Sequence, residues 1–306
     1  MRRFIALTAI ALAALMSLPA GAETFKDAFP DLVAQLDAPY QSRVASIQLL
    51  HGTVKLDGGQ AQVTVPEGYY FLGPADARYV IETLWANPQD PKLLGLMFPA
   101  NMTPYGRHDW AVTFEFDDMG YVSDADAEGY DYDALLKSMQ DDTNAENAGR
   151  QKDGFPAVTL TGWAEPPHYD KAARKLVWAK RLAFAGTPGE TLNYNIRALG
   201  RKGVLVVNFI ADMAELADVQ AAAPTVMQTI SFTDGNRYAD YVPSPDTVAA
   251  VGIGGLIAGK VLSSTGFLLV ALLFLKKGAI LILLPAAWLG KKIKGRGKGG
   301  GTGPIT

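Results

Sequence analysis

Two apolar runs bracket this chain, and they decide how much of its 306 residues is free to build a water-soluble core. At the front, Arg2 and Arg3 lead into an apolar run from Phe4 to Leu15, which Pro19 interrupts. Ala20-Gly21-Ala22 then offers small residues at both positions a signal peptidase reads, so residues 1–22 are expected to be a secretory signal peptide. At the back, a helix over residues 251–275 would be long enough to cross a bilayer, which takes about 20 residues. Lys260 would snorkel to the outer face, and Lys276 and Lys277 would mark the cytoplasmic edge. The next apolar stretch, 278–289, is too short to cross again and contains Pro285; it is expected to lie in the interface. A second crossing starting near Phe267 is the alternative, but it would bury both lysines. The expected plan is therefore a signal peptide (1–22), an exported domain (23–246), a single transmembrane anchor (247–277), and an interfacial segment with a basic, glycine-rich cytoplasmic tail (278–306).

The charges follow the same division. Two of the 28 basic residues precede Glu23 and eight follow Asp246, so 18 remain beside all 31 acids, a formal charge of −13 for the middle. A domain this acidic, with no local basic patch, repels nucleic acid. The chain has no cysteine. An exported domain must then hold together by packing alone, and thiol catalysis and thiolate metal sites are excluded.

Within the middle the periodicity alternates between strand and helix. Residues 53–56 and 61–65 alternate around Asp57-Gly58-Gly59-Gln60, a hairpin signal. Residues 75–86 have helical spacing, 110–116 alternate as a strand, and a helix starts at Tyr132 with Asp131 or Asp133 as its cap. Three successive strands cover 176–184, 192–199 and 204–210, before a helix from Met213 to Ile230 disturbed at Pro224. The pattern predicts an α+β fold, a mostly antiparallel sheet covered by helices, followed by the transmembrane helix.

Three constellations could carry chemistry. The string Asp124-Ala125-Asp126-Ala127-Glu128-Gly129 places acids at positions one, three and five and glycine at six, as a calcium loop does. Its twelfth position is Leu135 where a bidentate glutamate belongs, so the competing reading is an acidic turn that caps the helix after it. His108 and Asp109 could serve as general acid and base, but neighbours on a strand point to opposite faces. No nucleophile elbow, Walker loop or histidine metal spacing accompanies them. Third, a strand at 192–199 puts Asn193, Asn195 and Arg197 on one face, with Arg201 just beyond. Two amides and a guanidinium form a donor-rich stripe that suits a carboxylate or phosphate, or else anchors loops. No organic cofactor is expected, calcium being the one ion the acidic string suits.

Several strings in order carry a resemblance. They are His108-Asp109-Trp110, Gly120-Tyr121-Val122 with Asp124 and Asp126, Asn147 with Arg150, and Gly162-Trp163. Pro166-Pro167 with Tyr169-Asp170, Trp178-Ala179, and Asn193-Tyr194-Asn195 with Arg197 and Gly200-Arg201 complete the set. Together they resemble the bacterial membrane-anchored proteins grouped as Domain of Unknown Function 2167, over residues 44–277. The resemblance implies a single-pass protein of the bacterial inner membrane with a periplasmic domain, and it implies no activity.

Three functions follow as expectations. The first is a non-catalytic interaction or scaffold module, whose partners are the lipid bilayer and an envelope protein or a second copy of the chain. The second is an envelope sensor binding calcium or a small ligand. The third is a hydrolase using His108 and nearby carboxylates.

Overall fold

The alternating runs pair into one long antiparallel sheet whose two faces are both covered. The computed structural model describes residues 22–259, apart from 57, 86, 88, 107 and 153. The expected signal peptide, save Ala22, and everything from 260 onward lie outside the described residues, and among those described no helix is long and apolar enough to cross a membrane.

The chain opens with β1 (Ala22–Thr24) and three short helices, α1 (Phe25–Ala28), α2 (Pro30–Ala34) and α3 (Ala38–Ala45). Strands β2 (Gln48–Leu50), β3 (Gly52–Lys55), β4 (Ala61–Val65) and β5 (Tyr69–Leu72) follow. Helix α4 (Pro74–Arg78) runs on into a π turn at Tyr79–Leu84, then come β6 (Leu93–Pro99), β7 (Ala111–Asp117) and α5 (Tyr132–Lys152). A meander of β8 (Val158–Asp170), β9 (Lys175–Phe184), β10 (Thr191–Leu199) and β11 (Val204–Asp212) leads to α6 (Leu216–Thr229), β12 (Ile230–Phe232) and α7 (Ile253–Ala258).

Nine strands form the main sheet in the order β1-β2-β5-β6-β7-β11-β10-β9-β8, and β12-β4-β3 form a second, smaller one. The expected hairpin at 53–65 is β3–β4, and its place in the second sheet lets it cover the first. The α+β class and mostly antiparallel pairing are as expected. Asp131 is the cap of α5, its Oδ1 accepting from the backbone N–H of Ala134 at 2.9 Å.

Side-chain alternation sorts the main sheet into two faces. One face packs Val112, Phe114, Tyr194, Ile196, Val207 and Phe209 against the second sheet and α6. Phe209 sits between Trp110 and Tyr194, with ring centroids 5.5 and 5.4 Å away. Burying a side chain of that size stabilises by about 1.5–3 kcal/mol. The opposite face packs on α5 over β8 and on α4 over β6. Asn147 of α5 holds the start of β8 as a strand would: its Nδ2 donates to the Val158 carbonyl at 2.8 Å and its Oδ1 accepts from the Val158 N–H at 2.7 Å.

The end of the described chain departs from expectation. Residues 247–259, assigned by hydropathy to the membrane anchor, pack on the domain. Val248 pairs in parallel with Tyr121, through Tyr121 N–H to the Thr247 carbonyl and Ala249 N–H to the Tyr121 carbonyl, both 2.8 Å. Gly120, at φ +90°, lets the two backbones meet, since a Cβ there would stand 2.6 Å from the Thr247 oxygen. Ile253, Leu256 and Ile257 of α7 then join the core. The helix expected over 251–275 breaks at Gly259, which adopts a left-handed C-cap.

Candidate functional site

On the face beneath α4 and α5, the four central strands carry polar residues where a core would carry apolar ones. The register lines them up in three rows. The first runs Glu115 (β7), Val206 (β11), Arg197 (β10), Leu176 (β9). The second runs Thr113, Asn208, Asn195, Trp178, and the third Ala111, Ile210, Asn193, Lys180. Strands stand about 4.8 Å apart, so these side chains form one patch. Asn193 and Asn195 are 2% exposed, Asn208 1% and Lys180 3%.

The hydrogen bonds inside the patch have a consistent sense. Asn195 Nδ2 donates to the Asn193 Oδ1 at 2.9 Å and to the Asn193 backbone carbonyl at 2.8 Å. Arg197 Nη1 donates to Asn208 Oδ1 at 2.9 Å, and Nη2 reaches Asn195 Oδ1 at 3.4 Å. Every amide oxygen thus faces a donor, and flipping Asn208 would set its NH2 against the guanidinium. What remains are donors: Asn193 Nδ2, Asn208 Nδ2 and Trp178 Nε1 are buried with no hydrogen-bond partner. Leaving such a group unpaired costs about 1–3 kcal/mol.

The charges agree with that surplus. Burial pushes the Lys180 ammonium down to about 7, with Arg197 nearby adding to the effect. Burial also brings Arg197 down to about 10 against the pull of Glu115 and Asp117, which leaves it charged at neutral pH. Its guanidinium lies 4.9 Å from the centre of the Trp178 ring. Glu115 is pushed up to about 8 by burial and by Asp90, with Arg197 opposing. Near neutrality the patch therefore holds one fixed cation, one half-charged cation and a mostly protonated acid.

The other expected site residues lie elsewhere. Arg201 points away from the rows and makes a two-pronged ion pair with Asp246, Nε to Oδ2 at 2.7 Å and Nη2 to Oδ1 at 2.9 Å. It ties the end of β10 to the start of the docked segment 246–259, the strap, and lies outside the stripe. Asp124 accepts from Tyr169 at 2.9 Å and Tyr238 at 3.0 Å and pairs with Arg174. Burial works to raise its pKa, but these hydrogen bonds and the arginine's charge hold the carboxyl below the usual range. Asp126 accepts from Tyr130 and, at 3.1 Å, from the Ile253 N–H that begins α7. Glu128 is exposed. In this geometry the acidic string is not arranged as a calcium loop. Two of its carboxylates are committed to neighbours, and among the described residues no group of three or more His, Asp or Glu is placed to hold a metal.

His108 and Asp109 lie in the loop before β7, and their side chains part company there. The imidazole is 79% exposed, its Nδ1 3.1 Å from Glu215 Oε1, and Glu215 in turn accepts from the Asp212 N–H at the start of α6. Asp109 turns back and accepts from the Thr103 N–H at 2.8 Å. The pair expected to share acid–base work is thus divided between two loop-holding roles, and neither carboxylate of the acidic string reaches His108.

Sequence reasoning found Asn193, Asn195 and Arg197 but missed Glu115, Lys180, Asn208 and the indole of Trp178. One signal was present: Asn208 is the single polar residue in the otherwise apolar run 204–210.

The fold defines a class, an α+β domain on a nine-stranded antiparallel sheet with a buried polar patch at its centre. The chain belongs to the family described as Protein of unknown function (DUF2167), whose model matches residues 48–287. No curated protein matches it. Among solved structures it is similar to cyanobacterial PsbP (CyanoP) from Synechocystis sp. PCC 6803, at 8% identity over 59% of this chain and 91% of that one, TM-score 0.35. It is also similar to the Saccharomyces cerevisiae Ran-binding protein Mog1p, at 9% identity over 64% of this chain and 100% of that one, TM-score 0.34. Likenesses this distant carry no argument about function.

Proposed function

We propose that this protein is a membrane-tethered module of the bacterial envelope that binds an envelope protein or a second copy of itself. In this reading the packed domain is periplasmic, the basic tail is cytoplasmic, and the protein does no catalysis. The docked strap is the observation that supports the tether. Ala258 and Gly259 line one cleft with Met139, Asp142 and Thr143 of α5, and the apolar run from Val261 begins two residues after Gly259 in the sequence. With 248–258 packed on the domain, the crossing draws on residues 261–275. As a helix that stretch is about 22 Å long, against a hydrocarbon core of about 30 Å. The aliphatic stems of Lys260 on one side and Lys276 and Lys277 on the other extend its reach to the headgroups. Lys291, Lys292, Lys294, Arg296 and Lys298 fit a cytoplasmic tail. The separation of His108 from Asp109 supports binding over hydrolysis.

Because the chain has no cysteine, a single introduced thiol reports its own side of the membrane. In intact spheroplasts a membrane-impermeant maleimide should label Glu128→Cys, and should label Gly299→Cys only after lysis. Labelling of the tail without lysis would sink the topology. Crosslinking in the intact membrane should yield one discrete larger species; a monomer alone would remove the interaction reading.

A further inference from the structure

We propose that the three polar rows form a closed site for one small oxyanion, a carboxylate or a phosphate group, bound by Arg197, Asn193, Asn208 and Trp178 with Lys180 alongside. The inference goes beyond the tethering and holds whichever side of the membrane carries the domain.

The patch carries more donors than acceptors to meet them. Its three amide oxygens each already accept a hydrogen bond from within the patch. Three N–H groups from three adjacent strands, Asn208 on β11, Asn193 on β10 and Trp178 on β9, have no acceptor. Asn208 and Trp178 flank Asn195 in one row, and Asn193 lies in the next row on the same face of the sheet. A water molecule answers this poorly. It accepts two hydrogen bonds at most, so a single water would leave one of the three N–H groups unpaired. An oxyanion brings acceptors only, and it meets the guanidinium of Arg197 with the charge-assisted bonds that such groups favour. Burial of the whole patch, with both cations on the sheet itself, strengthens each of those bonds relative to water.

The test uses the full chain in detergent, dialysed into sodium chloride, with thermal unfolding as the readout. Sodium phosphate, sodium acetate and sodium succinate are added separately at matched ionic strength. One of them should raise the midpoint saturably beyond the chloride control, by roughly 5–10 °C at a hundred times its Kd. A response to phosphate alone assigns the phosphate class, and a response to acetate or succinate assigns the carboxylate class. The companion variant is Asn208→Asp. It keeps the oxygen that Arg197 uses and turns the unpartnered NH2 into the missing negative oxygen. It should raise the ligand-free midpoint and abolish the response to added anion, a result that a merely structural asparagine would not produce. A midpoint no higher in any anion than in chloride, or a lower ligand-free midpoint in Asn208→Asp, overturns the proposal.

Discussion

Glu115 offers the sharpest test of how the buried patch is charged. Its carboxyl keeps its proton up to about pH 8 in the folded protein, against an ordinary value of 4.5. Between those two values the folded state binds more protons than the unfolded state, so stability must fall as pH rises. The contribution is fully present below pH 4.5 and is lost as pH passes through about 8. At about 1.4 kcal/mol per pH unit the interval is worth at most about 5 kcal/mol. Glu115→Gln keeps the shape and removes the titration. Chemical unfolding at pH 5, 6, 7 and 8 should show the variant gaining on the wild type at each step, by about 2 kcal/mol or more across the series. It should be the more stable protein at pH 8. Taking the difference cancels groups that titrate elsewhere in the molecule. Parallel stability curves would refute the reasoning, because they would mean that Glu115 is as well solvated folded as unfolded.

Lys180→Met should act in the opposite sense and in another window. The folded ammonium releases its proton near pH 7 rather than 10.5, so its effect is a rise in stability between those values that the methionine variant lacks, measured by the same unfolding series at pH 7 to 10. Asp126→Ala removes the acceptor for the Ile253 N–H and the partner of Tyr130. It should cost about 1–3 kcal/mol and make limited proteolysis cut first between residues 242 and 259; an unchanged cleavage order would show that the strap is held without Asp126.

Periodicity carried far where it was regular. The runs that became β9, β10 and β11 alternate or are uniformly apolar, and the stripe on β10 followed from its period of two. Strand β8 was not foreseen, because its pairing with β9 shifts register between Leu160 and Gly162, Trp163 and Glu165, and Glu165 and His168. Each shift resets the alternation that a strand is recognised by. The partners of Arg197 were hidden for a different reason. Which residue lies beside which depends on pairing register, and β7 meets β11 across a long stretch of intervening chain. Arg201 lies just beyond the stripe in sequence, and Gly200, bridged to Arg237, is where the strand pattern stops. Asp124 and Asp126 show that spacing alone cannot separate an ion loop from a structural knot, since Tyr169, Arg174 and Tyr238 are remote in sequence. Hydropathy likewise cannot tell an apolar residue bound for a core, such as Ile253, from one bound for lipid.

The irregularity of β8 has a consequence for how copies of this protein can meet. An open sheet ends in two strands with unpaired backbone groups, and such edges recruit further strands from neighbouring molecules. Here one edge is β1, only three residues long. The other is β8, thirteen residues long and so the greater hazard. Its Pro166 and Pro167 offer no N–H, and its register shifts bend the strand out of a straight template. A second sheet docking there would find gaps in the ladder. Polymerisation through the main sheet is thereby discouraged at both ends, which favours assembly through side chains on its faces or helices, where a partner is chosen by shape and charge.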